Sequence, residues 1–347
     1  MIESGKQWFK GGRWRRPGSW LLGSALLAIV AFYAFQALVV DPRRPVRLVI
    51  YAFSTQEEVL TQGILPAFEQ AWEAETGRDV RLEAVLGASG TLAGQINLGA
   101  PADIALFSNA EHVDWLRLGR RVRRDTEPVI AGCTPMVIVT RPGNPLGIDG
   151  FAALAQEGLR LIHADPRSSG AGEWAVLAEY GSALSETGSE DAARAQLAAI
   201  WRNVVLMPPS ARAAMTVFEL GAGDALVTYE QDALQALDRG VALELVAPPR
   251  TIVARHATVI VDDNVTRTER PVAEAFLRYL VSGAGQQVFE RHNLRPASCS
   301  DGPFAVLVEP FTVEELGGWS RAYEELVKGL WQNEIEPKLN LPNLGEQ

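Results

Sequence analysis

From Val46 onward, short apolar runs rich in β-branched residues alternate with longer segments whose apolar residues recur every three or four positions. The first run, Val46 to Phe53, predicts a strand. Ser54-Thr55-Gln56-Glu57 after it has the S-x-x-E form of a capping box and predicts a helix start. Leu60, Ile64, Leu65, Phe68 and Trp72 then mark one helical face, which Gly77 ends. A strand over Val80 to Val85 delivers the chain to Ser89, read as the N-cap of a helix over Gly90 to Leu98. A strand over Ile104 to Phe107 and a helix around His112 to Leu118 complete a first series.

A second series follows. Strands are expected over Thr134 to Thr140, Leu159 to His163, Val204 to Met207 and Ala225 to Thr228, the last ending on Tyr229. Helices are expected over Phe151 to Glu157, Trp174 to Tyr180, Ala192 to Trp201, from Ala211, and over Asp232 to Asp238. The chain then returns through strands at Leu243 to Val246, Thr251 to Val253 and Ala257 to Val261. Helices at Arg270 to Tyr279, Gly285 to Arg291, Val313 to Leu326 and Trp331 to Pro337 close it. Strands alternating with helices mean a parallel-rich α/β sheet with ligands at the carboxyl ends of the strands.

Length and the N-terminus change this picture. A chain of 347 residues is too long for one small core and suits two lobes. Residues 1–19 carry Lys6, Lys10, Arg13, Arg15 and Arg16, and residues 20–40, Trp20 to Val40, form an apolar run with Gln36 as its only strongly polar residue. That run is long enough to cross a bilayer, and the basic flank places the body outside. With no strong cleavage site, an uncleaved anchor is expected; cleavage would release the body to the periplasm. The formal charge is −10, split as +5 over residues 1–45 and about −15 over the rest. An acidic body disfavours nucleic acid as a partner, and any anion site must then work through local dipoles.

Candidate chemistry collects where strands hand over to helices. Ser54, Ser89, Ser169 and Ser210-Ala211 all occupy such junctions, two in each series. First-turn amides, such as those of Gly90, Thr91 and Leu92 after Ser89, lack intrahelical acceptors and carry the positive end of the helix dipole. Several such ends aimed at one point would hold a small tetrahedral dianion through neutral donors. Tyr229 would add a phenol. A serine at a helix start is also ordinary structure, as is a first-turn arginine such as Arg212. Asp103 is read as a structural pin, Trp174 and Trp201 as core, and the Glu57-Glu58 and Glu314-Glu315 pairs as solvated faces. His112, His163, His256 and His292 show no metal spacing, so no metal and no cofactor is expected. Cys133 and Cys299 are either free thiols, the favoured reading, or one long-range disulfide. There is no G-x-S-x-G elbow, P-loop or G-x-G-x-x-G, so no enzyme is expected.

Beyond this, GASGTLAGQINLGAPADI, VIVTRPGNPLGI, HADPRSSGAGEW, PPSARAAMTVFELGAGDALVTYEQDA and FTVEELGGW resemble, in the same order, segments of the periplasmic sulfate/thiosulfate-binding proteins of ABC importers. The first of these also resembles the related molybdate-binding proteins. The resemblance implies a bilobal type II periplasmic-binding-protein fold of two α/β lobes. Lobe 1 would comprise residues 46–133 and 254–347, and lobe 2 residues 134–253, with hinge crossings near Cys133 to Met136 and Pro249 to Val253. It implies anion contacts at Ser54, Ser89, Gly90, Ser169, Gly170, Ala171, Ala211 and Tyr229. The partners implied are a small oxyanion, an ABC permease and its ATPase, for a monomer. Ser54 and Tyr229 stand where sulfate binders have Asp and Trp and match the molybdate pattern; Glu173 stands where the sulfate family usually has Arg. A molybdate or tungstate binder, or a membrane-tethered oxyanion sensor or adaptor, is the alternative.

Overall fold

A computed structural model describes residues 45–299 and 302–339. The proposed anchor and its basic flank lie outside the described residues, among which no helix is long and apolar enough to cross a membrane.

Strands β1 (Val46–Phe53), β2 (Val80–Gly87) and β3 (Ile104–Phe107) form a parallel unit with β1 in the middle. Their registers align the carboxyl ends: Phe53 lies opposite Gly87, and Ala52 opposite Leu106. Helix α1 (Leu65–Thr76) returns from β1 to β2, α2 (Ser89–Asn97) from β2 to β3, and α3 (Glu111–Leu118) follows β3. A long strand, β4 (Val129–Thr140), then leaves this half. Over Val129 to Pro135 it pairs with the later strand β9 (Arg250–Ile260), and over Met136 to Thr140 with β7 (Ala225–Tyr229). Pro135, which has no N–H to donate, sits where the ladder changes partner.

In the second half β7 pairs in parallel with β5 (Leu161–Ile162), β5 with β6 (Val204–Leu206), and β8 (Glu244–Val246) lies antiparallel beside β4. Helices α4 (Gly170–Thr187), α5 (Glu190–Trp201), α6 (Ala211–Glu219) and α7 (Glu230–Asp238) connect them. β9 carries the chain back beside β3, and α8 (Arg270–Leu280) and α9 (Gly283–Arg291) follow. The result is a bilobal α/β architecture in which β4 pairs with β9 on the side of the first half and with β7 on the side of the second.

Several elements differ from expectation for identifiable reasons. Two strands were expected over Thr251 to Val261, because Arg255 and His256 interrupt the apolar run. They form one strand, β9, since Arg255 points outward and His256 is buried against the rings of Phe53 and Tyr229. α4 is far longer than the expected Trp174 to Tyr180. Every residue from Gly170 to Ala183 is buried, so no polar face exists to give a helical period. The expected helix over Phe151 to Glu157 is a short 3-10 turn. Gly317 and Gly318, with φ of 93° and 80°, break the expected helix over Val313 to Leu326, and a continuous helical segment, 319–338, follows. That segment straddles the molecule: Trp331 packs on Trp201 and Trp319 on Trp174, while Tyr323 meets Trp115.

Cys133 and Cys299 are joined in a disulfide, with Cα atoms 5.7 Å apart, which corrects the expectation of free thiols. The Cys133 N–H donates to the Arg295 carbonyl at 3.1 Å, which brings the two segments together although the cysteines are separated by 166 positions in sequence.

Candidate functional site

The carboxyl ends of the two sheets face each other across a small cavity of about 10 Å³. It is lined by Phe53, Ser54, Gly87, Ala88, Ser89, Ser108, Ser169, Gly170, Ala171, Ala211 and Tyr229. All but Ser54 and Gly87 are buried. The space is well below the roughly 300–1,000 Å³ typical of organic-ligand sites, and no charged side chain lines it.

Four lining residues are the first residues of helical segments: Ser54 of a 3-10 turn, Ser89 of α2, Gly170 of α4 and Ala211 of α6. Backbone N–H groups in a first turn have no intrahelical acceptor, so two helical starts from each half present donors and positive dipole ends to one point. Tyr229 closes the cavity as the residue before α7. Its hydroxyl and that of Ser108 are buried side by side, two neutral groups beside the cavity with no other hydrogen-bond partner. Burial pushes the Tyr229 phenol well above its ordinary range, so it stays a donor.

Of the eight expected contacts, seven line the cavity, and Gly90 does not. Its N–H donates to the Ser168 carbonyl at 2.9 Å, and Thr91 N–H reaches the same oxygen at 3.3 Å, so these amides bridge the halves. Two side-chain caps are also absent. Ser54 makes no cap hydrogen bond, and the chain there tightens into a 3-10 turn. Ser89 is the first helical residue rather than the cap; its Oγ accepts from Ser108 N–H at 3.2 Å and lies 3.0 Å from His112 Nδ1. Ser169 does cap, accepting from Ala171 N–H at 3.3 Å, and Ser210 caps α6 outside the cavity.

Ser108 was missed by sequence reasoning, although it directly follows β3 and the strand-end rule that picked out Ser89 applies equally to it. Gly170 is tied to it: a Cβ there would stand 1.7 Å from Ser108 Oγ. The Ser108 carbonyl accepts from Trp174 Nε1 at 3.0 Å, so Trp174 is core and also wires the two halves together.

Around the cavity the halves are stitched by further polar contacts. Gln56 Nε2 donates to Gln231 Oε1 at 2.8 Å, and Asn109 Nδ2 to Glu173 Oε2 at 2.5 Å. Arg212 pairs with Glu58, so Arg212 braces a carboxylate rather than the ligand, and Glu58 is not a purely solvated residue. Asp103 accepts from Val49 N–H at 2.7 Å, four positions upstream of Phe53, as a structural pin does. His163 pairs with Glu179 in the core, and Trp201 Nε1 donates to the same carboxylate at 2.8 Å. His256 has both ring nitrogens buried and unpartnered; burial pulls it down to about 3, so it is neutral throughout the neutral range. Among the described residues no cluster could hold a metal ion.

The bacterial extracellular solute-binding protein family model matches residues 48–295. The chain is 32% identical to the sulfate-binding protein of Salmonella typhimurium over 75% of this chain and 83% of the relative. It is 29% identical to the thiosulfate-binding protein of Pseudomonas aeruginosa over 67% and 73% respectively. Its fold matches the structure of the sulfate-binding protein SubI from Mycobacterium tuberculosis H37Rv with a TM-score of 0.75 and 27% identity, over 81% of this chain and 99% of that one. The chain therefore belongs to the bacterial extracellular solute-binding protein family, in the group that includes the sulfate- and thiosulfate-binding proteins.

Proposed function

We propose that this chain is the extracytoplasmic solute-binding component of an ABC importer that captures a fully deprotonated tetrahedral oxyanion, sulfate or thiosulfate, and delivers it to the permease. One observation carries the reading: four helical starts, two from each half, meet at a small buried cavity that has donors and no charged side chain. Helix dipoles and neutral hydrogen bonds offset the dianion charge there. The contacts are assigned to Ser54, Ser89, Ser108, Ser169, Gly170, Ala171, Ala211 and Tyr229. Lobe 1 is assigned to residues 46–133 with the return from 254, and lobe 2 to 134–253. Closure runs through the crossings at Cys133 to Met136 and Pro249 to Val253. The N-terminal apolar run tethers the protein to the outer face of the cytoplasmic membrane.

Ser54 and Tyr229 favour a second reading, molybdate or tungstate, because they match that pattern of residues. Calorimetric titration with sulfate, thiosulfate, molybdate, tungstate and phosphate separates the two. Sub-millimolar binding of sulfate or thiosulfate, with phosphate far weaker, is the expected result. Molybdate winning by orders of magnitude moves the protein to the second reading, and no binding tighter than millimolar to any of them rejects both.

A further inference from the structure

Two buried amides tie opposite walls of the cavity together. Gln56 Nε2 donates to Gln231 Oε1 at 2.8 Å, and both residues are 0% exposed. Gln56 ends the 3-10 turn that Ser54 begins, and Gln231 is the second residue of α7, two places after Tyr229. The bond therefore runs from the Ser54 wall, in the first half, to the Tyr229 wall, in the second. Among the described residues it is the only hydrogen bond that either side chain makes, since Gln56 Oε1 and Gln231 Nε2 are buried with no partner.

The two ends of this tie are unequal. The start of α7 is anchored independently of it. Gln231 N–H donates to Thr134 Oγ1 on β4 at 3.2 Å, and the Glu230 carboxylate accepts from Arg295 Nε at 2.7 Å and Nη2 at 2.8 Å. Arg295 Nη2 also donates to the Ala305 carbonyl at 2.8 Å, so the residues after Tyr229 form a fixed wall. The Ser54 turn is held less firmly. No side chain caps it, and Thr55 Oγ1 is buried without a partner. The next tie across the seam, Glu58 to Arg212, lies beyond the turn, and its side chains are partly exposed. Gln56 is the residue that references the turn to the other wall.

We propose that Gln56 and Gln231 are positioning residues: their hydrogen bond sets the span between Ser54 and Tyr229, and with it the size of tetrahedral anion that the site prefers. This rests on the oxyanion-binding reading of the cavity. Neither glutamine lines the cavity, so the pair acts through its neighbours and not by touching the ion. In a space of about 10 Å³ a small change of span moves donors off an oxygen. Sulfate and molybdate are both tetrahedral dianions with four oxygens, and molybdate has the longer bonds. A held span favours the smaller ion; a released span lets the Ser54 wall yield to the larger.

The test is calorimetric titration of the full chain with sulfate and with molybdate, read as the ratio of the two affinities. Two variants probe the span. Gln56→Met combined with Gln231→Met replaces both amides by apolar side chains of similar length, so no buried partner is left unpaired and the fold is kept. Gln231→Asn retains an amide but draws it back by one methylene. Each is expected to shift the ratio about tenfold or more towards molybdate, chiefly by weakening sulfate, with thermal melting to show that the variants fold. A pair that serves the fold alone weakens both anions by the same factor, so an unchanged ratio in a folded variant overturns the proposal, as does a shift towards sulfate. Failure of both variants to fold overturns it too, because the pair is then a requirement of the fold before it is one of the site. Wild-type binding of sulfate or molybdate leaves the functional reading standing whatever the variants do; no wild-type binding of sulfate, thiosulfate, molybdate or tungstate removes that reading and this proposal together.

Discussion

Gly170 is the residue at which the site has least room for change. It starts α4, lines the cavity, and has Ser108 Oγ where a Cβ would go. Relief requires displacing either the Ser108 hydroxyl or the helix start, and overpacking of this kind costs about 1–3 kcal/mol. Gly170→Ala is therefore expected to lower oxyanion affinity by about tenfold or more while the protein still folds, as read by titration beside thermal melting; unchanged affinity would show that Gly170 and Ser108 do not form one wall of the binding point. The sequence shows why Gly170 is small only in part. Its place after a capping serine is legible, but the partner it must clear comes from another half of the chain. Gly90 illustrates the converse. Its place after Ser89 on a helix start is as good a local signal as that of Gly170, yet its amide is engaged by Ser168, 78 positions away. Local sequence identifies which amides are unpaired within a helix, not which foreign carbonyl reaches them.

Among the elements, the strands that deliver the site were the most legible, because β1, β3 and β7 are short apolar runs ending abruptly in polar residues. The crossing strands were not. β4 exchanges β9 for β7 midway, and in β9 a buried His256 between two aromatic rings reads in sequence as a polar break. The disulfide was equally hidden, since pairing depends on where β4 passes the segment around Arg295. Its loop of 166 positions makes it a strong constraint on the unfolded chain. Replacing both cysteines, Cys133→Ala with Cys299→Ala, is expected to cost about 2–5 kcal/mol in denaturant unfolding with binding largely kept. A loss below about 0.5 kcal/mol would mean that hydrogen bonds alone hold the two segments.

For the whole molecule, charge and site have opposite characters. Outside residues 1–45 the chain carries about −15, yet the cavity is lined by neutral groups. Long-range repulsion should then slow the approach of a dianion, although short-range dipoles hold it once inside. The association rate is expected to rise as ionic strength goes from about 0.01 to 0.15 M, where the screening length falls from about 30 to 8 Å. Stopped-flow measurement of Trp fluorescence reads this directly, and a rate that falls with salt would point to a local basic funnel instead. Composition revealed the acidic body at once. It gave no hint that the last helical segment would lie across both halves, because the three aromatic contacts that seat it have partners more than 100 positions earlier.

The cavity's two-sided wall has a temporal consequence. Its walls come from both halves, and contacts such as Gly90 with Ser168 and Arg212 with Glu58 close the seam around it. A captive ion cannot be traded for water one bond at a time; it is held until the seam parts. Dwell time thus belongs to the protein's own opening rhythm. Under the transport reading proposed above, a permease that parts the halves would set the moment of release.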